Sequence, residues 1–397
     1  MFTPSMLVGG SLFHPEAWPR IAHLDDIAPH VAANKGIRLF TQGPIRILRY
    51  LINDPSVFQT AYDLECRGLV FDTATGALLS RPFHKFHNHS GPTTAEALMG
   101  AGPVRFFDKL DGSMLGGFLL DSEVALHTKG GFSSQARAAL ARMPARHKAL
   151  VREAFAAGGT PVFEWVGPDN RIVLPYEKED FVLLAVRDRL TGAYLEDMAD
   201  TLAERHGVAR PAVLGEARSL DELHAWSARI GAMEGVEGAV AVGPDGRRGK
   251  IKTHAYLSVH KALSMLSHPR HAFRAVVEEL DDDLVPLLPP GQASFFVAYA
   301  TALRTAVLDR AEEARVLADT LRAAHGSDKR ALAAAVSTTV EDRFKPLVFA
   351  ALGGKNPAEA LLEMLRKRTG SGIAAEEASA TYGLPQWAPP EGLFLQD

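Results

Sequence analysis

The spacing of apolar and polar residues along this chain changes near residue 267. Before it, apolar residues recur at every second position in short runs bounded by Gly, Pro and Asp, the pattern of half-buried β-strands. Ile37-Arg38-Leu39-Phe40 and Ile45-Arg46-Ile47-Leu48-Arg49-Tyr50 flank a Thr-Gln-Gly-Pro turn. Glu65 to Asp72 reads as a strand, and Ala77 to Phe86 as the strand that returns, with Pro82 marking an edge or bulge. Phe106-Phe107-Asp108-Lys109-Leu110-Asp111-Gly112-Ser113 reads as a hairpin, with Lys109 on a pocket rim before a tight Asp-Gly turn. Its second strand turns at 121–123 and runs from Val124 to Lys129. Strands are also expected at Pro161 to Val166 and Phe181 to Val186. A further hairpin joins Gly238 to Val242 with Gly249 to Thr253 through Pro244-Asp245-Gly246.

The helical period appears at 133–157, with a break at Met143-Pro144 and a stop at Gly158-Gly159, and again at 255–266. Beyond 267 it is the only period present. Residues 293–325 predict one or two long amphipathic helices ended by Gly326, and 329–352 and 357–369 predict more. The first 35 residues predict loop with a short helix, and the last 27 predict loop. The fold class is therefore α+β: an antiparallel-sheet domain over 1–266 followed by an all-α domain over 267–397.

Composition narrows the class. In 397 residues, 47% are hydrophobic and 23% charged, ordinary for a soluble globular protein. No apolar run reaches the roughly 18 residues that suggest a membrane span, and the N-terminus carries no basic region of a signal peptide. The single cysteine, Cys66, excludes a disulfide framework and a Cys-rich zinc site and fits a reducing, cytoplasmic setting. The net charge of −4 lies in residues 266–397, with 14 Lys+Arg against 18 Asp+Glu. A groove can still be basic on a domain that is neutral overall.

The strands before residue 267 carry isolated charges among apolar neighbours. Glu164 lies between Phe163 and Trp165, Glu237-Gly238 opens a strand, and Lys250 and Lys252 share a strand face at period two. Arg67, Lys85 and Lys129 each sit in a strand or at its end. Buried charges are costly unless paired. Strands that send one charge each to a common side predict a charged cavity suited to a polyphosphate, with the carboxylates serving a divalent metal or a sugar hydroxyl. Taken singly, Glu164 and Glu237 read as salt-bridged structural carboxylates, and Lys250 and Lys252 as a solvated face. Arg171 reads equally as an RNA-phosphate contact or a structural ion pair. His84, His87 and His89 are only loosely spaced as metal ligands, and no phosphate-binding P-loop motif occurs.

As an ordered set these residues resemble the covalent nucleotidyltransferase superfamily, and within it the bacteriophage T4 RNA ligase 1 family. The resemblance runs through Leu64-Glu65-Cys66-Arg67-Gly68, Ser80 to Asn88, Lys109-Leu110-Asp111-Gly112, Phe163 to Pro168, Asn170 to Tyr176, Glu237 to Val242, Lys250-Ile251-Lys252-Thr253 and Leu257 to His260. It spans roughly residues 38–265. It implies an ATP-dependent RNA ligase that joins RNA 5′-phosphate and 3′-hydroxyl ends, in RNA or tRNA repair. Catalysis would pass through a lysyl-AMP on Lys109 and an AMP-capped RNA. Arg67, Lys85, His87, Gly112, Lys129, Glu164, Lys250 and Lys252 would line the ATP site. Glu164 would hold the ribose, and Gly112 would let backbone approach the nucleotide. Glu237 would support Mg²⁺, with Mn²⁺ as a substitute, and Asp282 and Asp283 are further metal candidates. His87 stands where the family usually has an aromatic residue. The implied partners are single-stranded or tRNA-loop RNA ends, with no membrane and no obligate protein partner, in a cytoplasm of phage or bacterial type.

The residues leave rivals open. A DNA ligase or capping enzyme shares the first chemical step but carries a β-rich OB domain where this chain predicts helices. A fungal-type tRNA ligase module would need healing domains. A non-catalytic protein on the same fold would bind RNA ends without turnover. For catalysis Lys109 must shed its proton, because an ammonium has no lone pair, and a cation-rich site favours that loss. The cluster Arg366-Lys367-Arg368 is the expected RNA-contacting face of the acidic tail.

Overall fold

A computed structural model of the chain describes residues 18–86, 98–99, 102–369, 372–390 and 392–394. It divides into two compact units, Met1–Tyr256 and Leu257–Asp397, with the division inside the helix His254–Leu266. No helix among the described residues is long and apolar enough to cross a membrane.

Among the described residues the first unit holds three four-stranded antiparallel sheets. In the first, β1 (Ile37–Gln42), β2 (Ile45–Tyr50), β3 (Arg67–Asp72) and β4 (Leu78–Ser80) pair in chain order. The second and third use β5 (Val104–Asp108), β6 (Ser113–Leu120), β7 (Glu123–His127), β8 (Gly159–Val166), β9 (Asp180–Asp188), β10 (Val213–Ala217), β11 (Gly238–Val242) and β12 (Arg248–Lys252). Their orders are β10-β5-β11-β12 and β7-β6-β8-β9. Each has its own apolar core. Phe106, Ala239, Ala241 and Ile251 pack against Leu223 and Ile230 of the helix Leu220–Gly231. Leu115, Phe163, Trp165 and Leu183 pack against Leu150 and Ala154 of the helix Ala145–Ala156. The break at Met143-Pro144 is present, between that helix and Ser134–Arg142.

The expected hairpin around Lys109 does not form. β5 and β6 belong to different sheets, because β5 takes β10 and β11 as its neighbours and β6 takes β7 and β8. The Asp-Gly step carries the chain from one sheet to the other. Gly112 keeps an ordinary negative φ; its need for glycine is steric, since a Cβ there would lie 2.2 Å from the Trp165 carbonyl oxygen of β8. The strand expected up to Phe86 also stops early, at Ser80. Arg81, fully buried, turns inward to join Glu65 and Arg187, and the backbone from 81 to 86 leaves the sheet.

Among the described residues the second unit is helical, matching the sequence expectation. Residues 290–325 form a single 36-residue helix opened by Pro290, followed by Lys329–Thr339, Lys345–Leu352 and Pro357–Arg366. The expectation of loop after residue 370 fails. Gly372–Tyr382 is a helix, held by buried Ala375, Ala378 and Tyr382 on one face.

Candidate active site

Lys109 follows the last residue of β5. Its N–H donates to the Gly238 carbonyl at 3.1 Å, which fixes it against the start of β11. Its Nζ lies 2.6 Å from Glu237 Oε2, and Lys252 Nζ lies 2.9 Å from Oε1 of the same carboxylate. The β11–β12 register places Gly238 opposite Lys252, so one buried carboxylate bridges both lysines. Lys109 lines a cleft that also takes in Arg67, Glu164 and Lys250.

Glu164 points into this cleft from the middle of β8. It accepts the Gly112 N–H at 3.2 Å, and burial, partly offset by Lys109, pushes its pKa up to about 7. Burial also raises the pKa of Asp108, and the nearby Glu237 adds to the effect. Gly112 thus touches Glu164 through its N–H, while its Cα side is closed by β8.

The cations cluster beside this cleft: Arg67 and Lys250 line it, and Lys85 and Lys129 feel the charge of Arg67 next to it. Lys85 is 8% exposed, donates to Asn53 Oδ1 at 2.6 Å and lies 5.3 Å from the Tyr50 ring centre. Burial, then Arg67 and Lys129, bring its pKa down to about 8. Lys129 Nζ lies 4.3 Å from the same ring centre, and burial followed by Arg49 and Arg67 lowers its pKa. Lys250 is pushed well below the ordinary lysine range, by burial first and then by Arg67 and Lys109. Phe86 lies between the Arg67 guanidinium, at 5.5 Å, and Lys250 Nζ, at 5.0 Å. Arg67, Lys85, Lys129 and Lys250 have no carboxylate within ion-pair distance among the described residues, so the protein holds four cations together against their mutual repulsion. Such an arrangement is favourable only when an anion joins it.

The remaining expected residues lie elsewhere. His87 and His89 fall outside the described residues. His84 is buried with Nδ1 2.6 Å from the Tyr194 hydroxyl. Arg171 uses its Nε on the Val173 carbonyl and pairs with no carboxylate among the described residues. Asp282 and Asp283 are exposed in the second unit, beside Asp281, which binds Arg304. In the expected basic face, Arg366 pairs with Glu279 and Lys367 with Glu363, which leaves Arg368. No group of three or more His, Cys, Asp or Glu converges as a metal site among the described residues. Glu164 and Glu237 are the two buried carboxylates beside Lys109, oxygen donors of the kind a hard divalent cation would take.

Two sets of residues escaped the reading of the sequence. Asp111 is buried and ties the lysine turn down. Its carboxylate accepts the N–H groups of Val173 and Leu174, both at 2.7 Å, and the Tyr256 hydroxyl at 2.7 Å. Its own N–H donates to the Tyr176 hydroxyl at 2.9 Å. Glu65, Arg81 and Arg187 form a fully buried charged knot, with Glu65 bound by both guanidiniums at 2.6–3.1 Å. Burial alone would raise the Glu65 pKa, but Arg187 and Arg81 outweigh it and hold the carboxyl below its ordinary value.

The family model described as RNA ligase, of the T4 type 1 class, matches residues 65–256. A Thermovibrio ammonificans protein named as a candidate RNA ligase is 30% identical over 273 residues, 66% of this chain and 70% of that one. RNA ligase 1 of bacteriophage TS2126 is 30% identical over 256 residues, 61% of this chain and 62% of the phage protein. Among solved structures, an archaeal ATP-dependent RNA ligase aligns at 18% identity and a TM-score of 0.47, over 62% of this chain and 65% of that one.

Proposed function

The chain belongs to the RNA ligase family of the T4 RNA ligase 1 type, and from that premise we propose that it is an ATP-dependent RNA ligase whose nucleophile is Lys109. One observation carries the reading. Lys109 lines a cleft together with Glu164, its Nζ is held by buried Glu237, and beside it lies a group of cations that lack carboxylate partners among the described residues.

In the first step the Lys109 Nζ lone pair attacks the α-phosphorus of ATP. A P–N bond forms, the bond to the bridging oxygen breaks, and pyrophosphate leaves. Glu237 Oε2, 2.6 Å away, is the nearest acceptor for the proton that Nζ must lose. Arg67, Lys85, Lys129 and Lys250 supply positive charge for the phosphates, and Lys252 is held ready through Glu237. Glu164 faces the site where a ribose hydroxyl can donate to it. A divalent cation, Mg²⁺ by the hardness of the donors, would neutralise phosphate charge with Glu237 as its carboxylate. In the second step an oxygen of the RNA 5′-phosphate displaces the lysine from AMP. In the third, a 3′-hydroxyl attacks that phosphate, AMP departs and the strand is sealed.

RNA selection is assigned to the helical residues from 267 onward, since every group used in these steps lies before residue 253. The reaction itself is tested by offering ATP and Mg²⁺ with either 5′-phosphorylated single-stranded RNA or nicked duplex DNA. The RNA should be sealed faster; preference for the DNA nick would reject the reading in favour of a DNA ligase.

A further inference from the structure

Three arginines stand side by side across the first sheet. The registers place Arg38 of β1 opposite Arg49 of β2, and Arg49 opposite Arg67 of β3 across a bulge that skips Gly68. Residues directly opposed on antiparallel strands share a face, with strands about 4.8 Å apart. Like charges so placed repel and destabilise the pairing, so the row needs a reason. No carboxylate lies within ion-pair distance of any of the three among the described residues. Arg38 uses its guanidinium only on the carbonyls of Ile37 and Asn34. The Arg49 Nε and the Arg67 Nη1 are buried and have no hydrogen-bond partner among the described residues. The Arg49 guanidinium lies over the Phe40 ring, 4.6 Å from its centre. Lys129 joins the inner end: its Cα lies 3.1 Å from where a Cβ on Gly68 would be, next to Arg67.

We infer that Arg49 and Arg38 extend the anion site outward from Arg67 and Lys129 as a track for the phosphodiester backbone of the 5′-phosphorylated RNA strand. The inference rests on the RNA-ligase reading above. A nucleotide is the weaker occupant. Arg67, Lys85, Lys129 and Lys250, the four cations without a carboxylate partner among the described residues, already match the charge of a triphosphate, whereas Arg38 is exposed on the edge strand, two strands beyond Arg67. A triphosphate anchored at Lys109 has no phosphate left for it. A polymer with a charge on every residue does.

The test uses the full chain and the double variant Arg38→Gln/Arg49→Gln, in two separate assays. The first is formation of the AMP adduct as a function of ATP concentration. The second is transfer of AMP from the preformed adduct to a 5′-phosphorylated single-stranded RNA oligomer at limiting RNA, across a salt series. Adduct formation and its ATP dependence should match the parent. Transfer should fall about tenfold for the lost charged contacts. The salt slope of log affinity should flatten by roughly 0.7 for each phosphate released. Arg38→Lys/Arg49→Lys keeps the charge and should keep the slope, which separates loss of charge from loss of structure. A parallel rise in the ATP concentration required would assign the row to the nucleotide and overturn the inference. Unchanged RNA transfer with an unchanged slope would overturn it too. If the parent forms the adduct but transfers nothing to RNA, the RNA-ligase reading itself fails.

Discussion

Replacing Lys85 with methionine should leave the protein at least as stable at neutral pH while weakening its hold on ATP. The ammonium is buried beside Arg67 and Lys129, and its pKa falls from 10.5 to about 8. Keeping that group charged at neutral pH therefore costs about 3 kcal/mol relative to the unfolded chain. Methionine keeps the stem packed near Tyr50 and Phe58, where Nζ lies 5.3 and 5.4 Å from the ring centres. It forfeits the hydrogen bond of the charged ammonium to Asn53, worth about 1.5–3 kcal/mol. The net gain is about 0–1.5 kcal/mol, a rise in melting temperature of up to roughly 6 °C for a unit of this size. The sign with pH follows from the direction of the shift. A lysine whose folded pKa lies below its unfolded one carries its full penalty below pH 8 and none above about 10.5. The advantage of the variant should thus be complete at pH 7 and shrink as pH rises through 8 to 10.5. Thermal unfolding without nucleotide, at pH 7 and pH 10, measures both terms. A variant that melts several degrees below the parent at pH 7 would refute the picture of a cation group held against its own repulsion.

Glu164→Gln should behave in the opposite pH sense. The folded carboxyl titrates at about 7 against 4.5 in the reference state, so its ionisation costs stability progressively from pH 4.5 to 7 and fully above. The variant should gain on the parent across that window in thermal melts, and equal pH profiles would dismiss the burial argument. Glu65→Gln should cost about 3–5 kcal/mol, because it leaves Arg81 and Arg187 buried without their counter-ion. Chemical denaturation measures it, and a loss below 1 kcal/mol would show that the knot relaxes or takes in water.

Much of the site could be read from the chain because each of its charges interrupts an apolar strand. Glu164 between Phe163 and Trp165, and Lys250 and Lys252 around buried Ile251, are local patterns that survive folding unchanged. What could not be read depends on distant pairing. The neighbours of β5 lie about a hundred residues downstream, so nothing near Lys109 says that its strand parts from β6. Glu65 and Arg187 are 122 residues apart and carry no periodic sign of each other. The helix Leu220–Gly231 did leave a sign: Ser219 three residues before Glu222, where the serine accepts the Glu222 N–H and Glu222 reaches back to the Arg218 N–H. Gly372–Tyr382 was hidden by flanking Gly and Pro residues, and its alanines become informative only once Ala375 and Ala378 are seen buried.

The central claim is that Lys109 carries AMP. Incubating the protein with ATP labelled at the α-phosphate, in Mg²⁺, and separating it under denaturing conditions tests this directly. The parent should retain label on a peptide containing Lys109, and ATP labelled at the γ-phosphate should leave none. Lys109→Ala should take up no label for want of an amine, and Lys109→Arg none because guanidinium stays protonated, with both variants melting as folded proteins. Label that persists in either variant, or that maps to another lysine of the parent, would contradict the account.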